Sequence, residues 1–227
     1  MPRLVVGLGN PGREYAGTRH NVGFEVLDRL ATAEGLPFQR EKKWQAEVCR
    51  TVSGLFLLKP QTYMNLSGRA VASAARFYKI AAEEILVVYD DVSLPLGQLR
   101  FRMNGGAGGH NGIRSLIADL GSREFPRLKI GIGGVPGGKL TGHVLGRFRE
   151  EEGDAAEKAL ATAMDAVQVA LSEGVSRAAN RFNTRPRQAK RDPKPKPETD
   201  PESQPKAQED EQEIRRPDCS EHDGKGR

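Results

Sequence analysis

The side chains best suited to acid–base chemistry are few. The chain has four histidines, and His222 lies in a C-terminal stretch almost without large apolar residues. The others, His20, His110 and His143, show no H-x-H, H-x₃-H or H-E-x-x-H spacing, so we predict no metal site and no cofactor. There is no G-x-S-x-G elbow, and Cys49 has no histidine near it in sequence, while Cys219 and His222 both lie in the C-terminal stretch. A nucleophilic serine or cysteine is therefore not indicated.

Polar side chains gather where predicted elements begin or end. In an open α/β sheet, ligands bind outside the carboxyl ends of the strands, so we expect these side chains to share one rim. Each also has an ordinary alternative, as a helix N-cap or turn asparagine, a surface histidine, or an aspartate that caps its strand. The set is Asn10 after the first strand, His20 and Asn21 before the first helix, Asn65 before the second, Asp90 and Asp91 at the end of ILVVY, and His110 and Asn111 at a later helix start.

The elements that would position them alternate between strand-like runs and helical periodicity, which is typical of an α/β domain. Continuous apolar runs predict strands covered on both faces, and a hairpin-like pair joined by Ser53-Gly54 favours a mixed sheet. We predict one α/β domain, residues 1–185, with a mixed, mostly parallel twisted sheet flanked by helices. The predicted strands are Arg3–Leu8, Ala46–Arg50, Leu55–Leu58, Ile85–Tyr89, Gln98–Arg102 and Leu128–Ile132, and the helices are Val22–Ala33, Ser67–Tyr78, Asn111–Leu120 and Ala155–Leu171.

Residues 186–227 differ from the rest in composition. They contain seven of the 14 prolines, no aromatic residue, and Ile214 as the only large aliphatic one. Such a segment buries too little apolar surface to offset its ordering entropy, so we predict a disordered, charged, proline-rich tail. It holds 10 Lys/Arg and 11 Asp/Glu, which leaves 25 and 19 for residues 1–185. The predicted domain thus carries about +6, a weak signal for a polyanionic partner.

Two glycine-rich segments imitate phosphate-binding loops. GLGNPG, residues 7–12, fits G-x-G-x-x-G after a strand, but helical periodicity begins only near Val22, whereas a dinucleotide site needs a helix that starts within the motif. GGVPGGK, residues 133–139, nearly spells a Walker A loop, but Leu140 replaces the Ser/Thr that would bind Mg²⁺. We interpret the second segment as a connection after a strand. A nucleotide-dependent enzyme remains the weaker alternative.

The cellular setting is indicated by what the sequence lacks. Cys49 and Cys219 lie in different contexts, so a disulfide is not expected and a reducing compartment fits. There is no signal-peptide pattern and no run of 18 apolar residues. We therefore predict a cytoplasmic protein that does not bind membranes.

Several of these segments, in order, resemble the peptidyl-tRNA hydrolases of bacterial type. The resemblance runs from Leu4 to about Phe182 and is carried by VVGLGNPGREYAGTRHNVGFEVLDRL, LLKPQTYMNLSGRAV, VVYDDVSLPLGQLRFR, GGAGGHNGIRSLI and LKIGIGGVPG. It implies an esterase that hydrolyses the bond between a peptide, or an N-blocked aminoacyl group, and tRNA. It also implies a monomer whose partner is peptidyl-tRNA.

The resemblance implies roles for individual positions. His20 is similar to the general base that activates water, Asp90 to the residue that orients and stabilises it, and Asn10 to the asparagine that separates blocked from free aminoacyl groups. Further positions match residues that line the cleft or contact the tRNA end, namely Tyr15, Tyr63, Met64, Asn65, His110 and Asn111. Arg100, Arg102 and Lys129 match basic residues that grip tRNA phosphates.

The sequence departs from the family pattern at two of these positions and in the tail. Lys129 stands where arginine is frequent, which keeps the charge but loses a bidentate fork. Tyr63 stands where phenylalanine is common, and the tail has no counterpart. A non-catalytic RNA-binding protein on the same fold is the second alternative, and the joint presence of Asn10, His20, Asp90 and Asn111 argues against it.

Overall fold

A seven-stranded mixed sheet forms the centre of the part of the chain that the structure describes. The computed structural model describes residues 1–134 and 140–183. The sheet order is β2-β3-β4-β1-β5-β7-β6, with β4, β1, β5 and β7 parallel, and β2, β3 and β6 joined by antiparallel pairing. The strands are β1 Leu4–Gly7, β2 Gln39–Glu41, β3 Ala46–Arg50, β4 Phe56–Pro60, β5 Ile85–Asp91, β6 Leu99–Arg102 and β7 Arg127–Gly131.

Helices cover both faces of this sheet and bury two apolar clusters. One cluster joins the sheet to α1, α5 and α6, and the other joins it to α2 and α3. The helices are α1 Val22–Ala33, α2 Ser67–Tyr78, α3 Asn111–Leu120, α4 Leu140–Val144, α5 Gly153–Ser172 and α6 Val175–Phe182. The predicted fold class is therefore confirmed. In the described residues, no helix is both long and apolar enough to cross a membrane.

Three elements were not predicted, each for a physical reason. Strand β2 is three residues of polar, mostly exposed edge, without an apolar alternation to mark it. Helix α4 has five residues, too few for a helical period, and α6 buries only Val175 and Ala178. Residues 135–139 of the predicted glycine-rich connection (133–139) and the whole predicted tail (186–227) lie outside the described residues.

The placement of α1 depends on a glycine pair. Gly7 of β1 and Gly23 of α1 meet so closely that a Cβ on Gly7 would strike the Gly23 backbone. A Cβ on Gly23 would lie 2.5 Å from the Leu8 nitrogen and would also strike the Val88 carbonyl oxygen. Because neither position has a side chain, the start of α1 rests directly on β1 and β5. This close approach brings the residues just before α1 to the end of β5.

We expect Gly23→Ala to destabilise the fold. The new methyl would be held against backbone atoms of two central strands, which cannot yield as a side chain can, so the free energy of unfolding should fall by about 2–3 kcal/mol. Urea unfolding measures this loss. Gly153→Ala is the matched control, since Gly153 has helical torsions and open space around its Cβ position. A Gly23→Ala midpoint equal to that of the control would contradict the close-packing account.

Candidate active site

A cleft of about 650 Å³ opens at the edge where the parallel strands end. Strand β1 leads into Asn10, β4 into the segment from Tyr63, and β5 ends in Asp90 and Asp91. The predicted rim is therefore a real cavity wall. Nine of the residues predicted to act or bind line it, namely Asn10, His20, Tyr63, Met64, Asn65, Asp90, His110, Asn111 and Lys129.

Two histidines share one carboxylate oxygen at the floor of the cleft. The Nδ1 of His20 lies 2.8 Å from Oδ1 of Asp90, and the Nε2 of His110 lies 3.1 Å from the same oxygen. The two imidazole rings are 5.0 Å apart between centroids. Asp90 is 2% exposed and His20 9% exposed, so this cluster is almost sealed from solvent except through the cleft.

The hydrogen-bond partners define the tautomers. Because a carboxylate only accepts, the Nδ1 of His20 carries the proton that it donates to Asp90, and its Nε2 keeps a free lone pair. His110 is fixed at both nitrogens, since its Nδ1 accepts from the Ile113 backbone N–H at 3.3 Å and its Nε2–H faces Asp90. Only His20 thus keeps an unprotonated ring nitrogen available to act as a base.

Asp90 is held in its ionised form by these partners. Burial alone would raise the pKa of its carboxyl group, but hydrogen bonds and charge interactions from His110 and His20 outweigh burial and lower the pKa well below its ordinary value. A permanently ionised carboxylate beside His20 stabilises the imidazolium that forms when the ring takes a proton.

A second asparagine fixes the backbone of Asn10. Asn21 accepts from the Asn10 N–H and donates to the Asn10 carbonyl, both at 2.9 Å. The side-chain oxygen of Asn10 accepts from the Met64 N–H at 2.8 Å. With its oxygen occupied, Asn10 presents its amide N–H₂ as a donor to the cleft. Asn21 is therefore no side-chain N-cap of α1, although it occupies the N-cap position.

The start of α3 is capped by His110 and not by Asn111. The His110 ring accepts the N-cap hydrogen bond, whereas Asn111 is the first helical residue, and its side-chain oxygen accepts from Arg114 at 3.3 Å. Asn65 lies in a short 3-10 turn before α2 and makes no cap either, because the N-cap there is Leu66. The asparagines of the rim are thus free of the capping role that the sequence left open.

Three predicted residues, Tyr15, Arg100 and Arg102, do not line the cleft but neighbour residues that do. Tyr15 packs edge-on against Tyr63, with ring centroids 6.5 Å apart, and Tyr63 is exposed. Arg100 lies opposite Lys129 in the β6–β7 register, and Arg102 is two residues further along the same face. Lys129 donates to Asp91 at 2.5 Å, so this lysine has an acidic partner that the sequence did not reveal.

The same cluster is compact enough to hold a metal ion. His20, Asp90 and His110 each offer a ligand atom, and these atoms lie within 4.8 Å of one another, which makes them the one such set among residues 1–134 and 140–183. Their separation in sequence gave no ligand spacing to detect. The two N–H donors and the shared carboxylate oxygen satisfy one another by hydrogen bonding.

The part of the cleft lined by α4 was not predicted from the sequence. Helix α4 contributes Leu140, Thr141 and Val144 to the cleft lining, and the residue after it contributes Leu145. Arg19, buried beside His20, donates to the carbonyls of His143 and Arg147 and pairs with Glu152. The position of Arg19 next to His20 in TRHNVG could have drawn attention to it. Its partners, however, are more than 120 residues away in sequence.

Known proteins with related sequences and structures agree on one family. The family described as peptidyl-tRNA hydrolase matches residues 4–191. A peptidyl-tRNA hydrolase of Akkermansia muciniphila is 48% identical over 78% of this chain and 93% of its own length, and one of Chloroflexus aggregans is 52% identical over 77% and 95%. The crystal structure of the Acinetobacter baumannii peptidyl-tRNA hydrolase aligns with a TM-score of 0.76 and 38% identity, over 81% of this chain and 95% of that one.

These relatives and the cleft define a hydrolase that acts on ester bonds. The chain belongs to the peptidyl-tRNA hydrolase family.

Proposed function

We propose that the chain cleaves the ester between a peptide, or an N-blocked aminoacyl group, and tRNA, with His20 as general base. The observation that carries this proposal is the His20–Asp90 hydrogen bond of 2.8 Å, which leaves the Nε2 lone pair of His20 in the cleft. Water takes the place of a protein nucleophile and loses its proton to Nε2 as it attacks the ester carbonyl. Asp90 holds the tautomer and stabilises the imidazolium.

Amide donors supply the second requirement of ester hydrolysis, a site for the developing oxyanion. Asn10 is oriented by Asn21 and Met64 so that its amide N–H₂ is available to the substrate. Asn65 and Asn111 line the same cleft. A preorganised donor stabilises the transition state more than the ground state and so accelerates the chemical step. We assign Asn10 to the peptide side, where it recognises the blocked amino group, and Asn65 and Asn111 to the ester and the terminal nucleotide.

The tRNA body is assigned to the exposed tyrosines and the basic row. Tyr15 and Tyr63 offer ring faces at the cleft mouth on which a terminal base stacks. Lys129, Arg100 and Arg102 form a row that starts at the cleft and runs along β7 and β6. Phosphates that follow the terminal nucleotide would meet these charges one after another.

Replacing Arg100, Arg102 and Lys129 together with glutamine should weaken tRNA binding. The slope of log K against log salt concentration should become shallower by roughly 2–3 units, because binding then forms fewer phosphate contacts and releases fewer counterions. Titration of labelled tRNA at several salt concentrations measures this. The control is Lys158→Gln, Arg177→Gln and Arg181→Gln on α5 and α6, which pack on the opposite face of the sheet. A slope unchanged from wild type would remove the basic row from the proposal.

The proposed reaction is tested by incubating the enzyme with N-acetyl-aminoacyl-tRNA and with free aminoacyl-tRNA, without added metal and with a chelator. We expect rapid release of the blocked amino acid, slow release of the free one, and no effect of the chelator. Tight tRNA binding without release would favour the alternative of a non-catalytic RNA-binding protein. Loss of activity in chelator would assign the His20–Asp90–His110 set to a metal.

Two further properties belong to this proposal. Peptidyl-tRNA released prematurely from ribosomes is the substrate whose cleavage returns tRNA to use, which places the enzyme in the cytoplasm. The family resemblance implies a monomer, so we propose that a monomer is active, and sedimentation at assay concentration checks this.

A further inference from the structure

A buried arginine without a carboxylate partner lies beneath the active-site loop. Arg127 of β7 is 2% exposed, and no acidic group lies within ion-pair distance of it in the part of the chain that the structure describes. Burial lowers the pKa of its guanidinium group. Glu124 attracts this charge, but only from beyond ion-pair distance. Burying a cation without a paired carboxylate opposes folding, and an apolar residue of similar volume would fill the site with a smaller desolvation cost. The charge therefore needs a reason other than packing.

The guanidinium donates to backbone carbonyls of the loop between β6 and α3. It contacts the carbonyl of Gly106 at 2.7 Å, that of Gly105, and more distantly that of Arg123 at 3.4 Å. One planar guanidinium thus donates to the carbonyls of two neighbouring residues, Gly105 and Gly106. The ammonium group of a lysine cannot reproduce this geometry.

The loop between β6 and α3 is rich in glycine and leads into the cleft. Residues 103–110 read MNGGAGGH, and Gly105, Gly108 and Gly109 all have positive φ angles. Glycine gives the chain its widest conformational freedom, so a loop of this kind does not hold its own shape. It nevertheless ends in His110 and Asn111, and Gly108 and Gly109 line the cleft.

A second contact path leads from Arg127 to the same histidine. The guanidinium stacks over Phe125 at 4.3 Å and interacts with Tyr89, whose pKa burial raises to about 12 while Arg127 opposes the rise. The Tyr89 ring packs edge-on against His110, with centroids 4.8 Å apart. Arg127 thus supports His110 indirectly in two ways, through the loop backbone and through Tyr89 of β5.

We propose that Arg127 is a positioning residue that holds the glycine-rich loop in one conformation, so that His110 keeps its hydrogen bond to Asp90 and Asn111 stays at the cleft. This inference rests on the proposed hydrolysis only for its effect on rate; the effect on the loop is independent of it. Arg127 touches neither the substrate cleft nor His20.

The test is Arg127→Lys, which keeps the charge and loses the fork. We expect hydrogen exchange to quicken by roughly 10-fold or more at the His110 amide, which donates to the Ala107 carbonyl, and at the Ile113 amide, which donates to the His110 ring. Exchange in α5 should be unchanged. The value of kcat should fall roughly 10- to 100-fold, with KM for the tRNA substrate within about twofold of wild type, because misplacement of a group by about 1 Å has effects of that size. Arg123→Lys, an exposed neighbour, should match wild type in both readouts.

Wild-type kcat in Arg127→Lys, or a lowered kcat with loop exchange unchanged, would overturn the proposal. If Arg127→Lys does not fold, hydrogen exchange in the wild-type protein still tests the proposal. The amide of His110, which donates to the Ala107 carbonyl at 3.0 Å, should exchange much more slowly than those of Val52 and Ser53 in an exposed turn, and equal rates would overturn it. Should wild type fail to cleave peptidyl-tRNA, the proposed function would fall, while the exchange measurements would still test the role of Arg127 in the loop.

Discussion

His20→Ala should lower kcat by about 10²–10⁴-fold, the range that general base catalysis contributes. The only ring nitrogen of the His20–Asp90–His110 cluster with a free lone pair belongs to His20, since the lone pair of the His110 Nδ1 accepts from the Ile113 N–H. Binding of tRNA should change by less than about twofold, because the basic row and the tyrosines are untouched. Steady-state kinetics and tRNA titration measure the two effects separately.

His20→Gln is the matched variant for this prediction. Its amide can donate to Asp90, as the imidazole does, but it takes no proton at neutral pH. It should therefore be as inactive as the alanine variant while it retains more of the wild-type stability. If either variant kept more than about one tenth of the wild-type kcat, His20 would not be the base.

Asp90→Asn should have an effect of similar size, about 10²–10⁴-fold on kcat, although the change in shape is minimal. One carboxylate oxygen now accepts from two imidazoles, and an amide offers one acceptor and one donor. An amide N–H that faces the Nδ1 of His20 would move the ring proton to Nε2 and remove the lone pair that water needs. The same loss of tautomer accompanies this substitution in serine-protease triads.

The pH dependence of the free energy of unfolding distinguishes a catalytic effect of Asp90→Asn from a loss of folded protein. The pKa of Asp90 is lowered on folding, so its charge stabilises the native state above the pKa of the unfolded chain, about 3.9, and this stabilisation is lost as pH falls through the folded-state value. Asp90→Asn should therefore be less stable than wild type at pH 7, and the gap should narrow below about pH 4. Kinetics must be measured well below the melting temperature of the variant. A folded variant with wild-type kcat would exclude the tautomer mechanism.

The sequence predicted the sheet, its main helices and most of the cleft because those features leave local signals. Apolar runs marked β1 and β5, helical periodicity marked α1, and polar residues at strand ends marked the rim. Sequence patterning placed His20 and Asp90 on one rim, and the family resemblance implied that they pair across 70 residues. The close approach that makes it possible depends on Gly7 and Gly23, which a sequence shows only as two glycines.

What the sequence did not predict depends on distant partners. The sequence left Asn21 open between a place on the rim and a cap or turn role, whereas it fixes Asn10, and His110 takes the capping role at α3. Lys129 was assigned only to phosphate, but it pairs with Asp91. Arg127 was not singled out, since its carbonyl partners have no sequence signature. Hydrogen bonds to backbone atoms are invisible until the chain is folded.

The central claim is that water, activated by His20, attacks the ester directly. The most direct measurement is a single turnover of N-acetyl-aminoacyl-tRNA by excess wild-type enzyme in H₂¹⁸O, with mass spectrometry of the released acid, the tRNA and the intact protein at each time. We predict one ¹⁸O in the released carboxylate, none in the tRNA, and no acylated protein at any time. An acylated protein intermediate, ¹⁸O in the ribose, or uncleaved substrate would contradict the account.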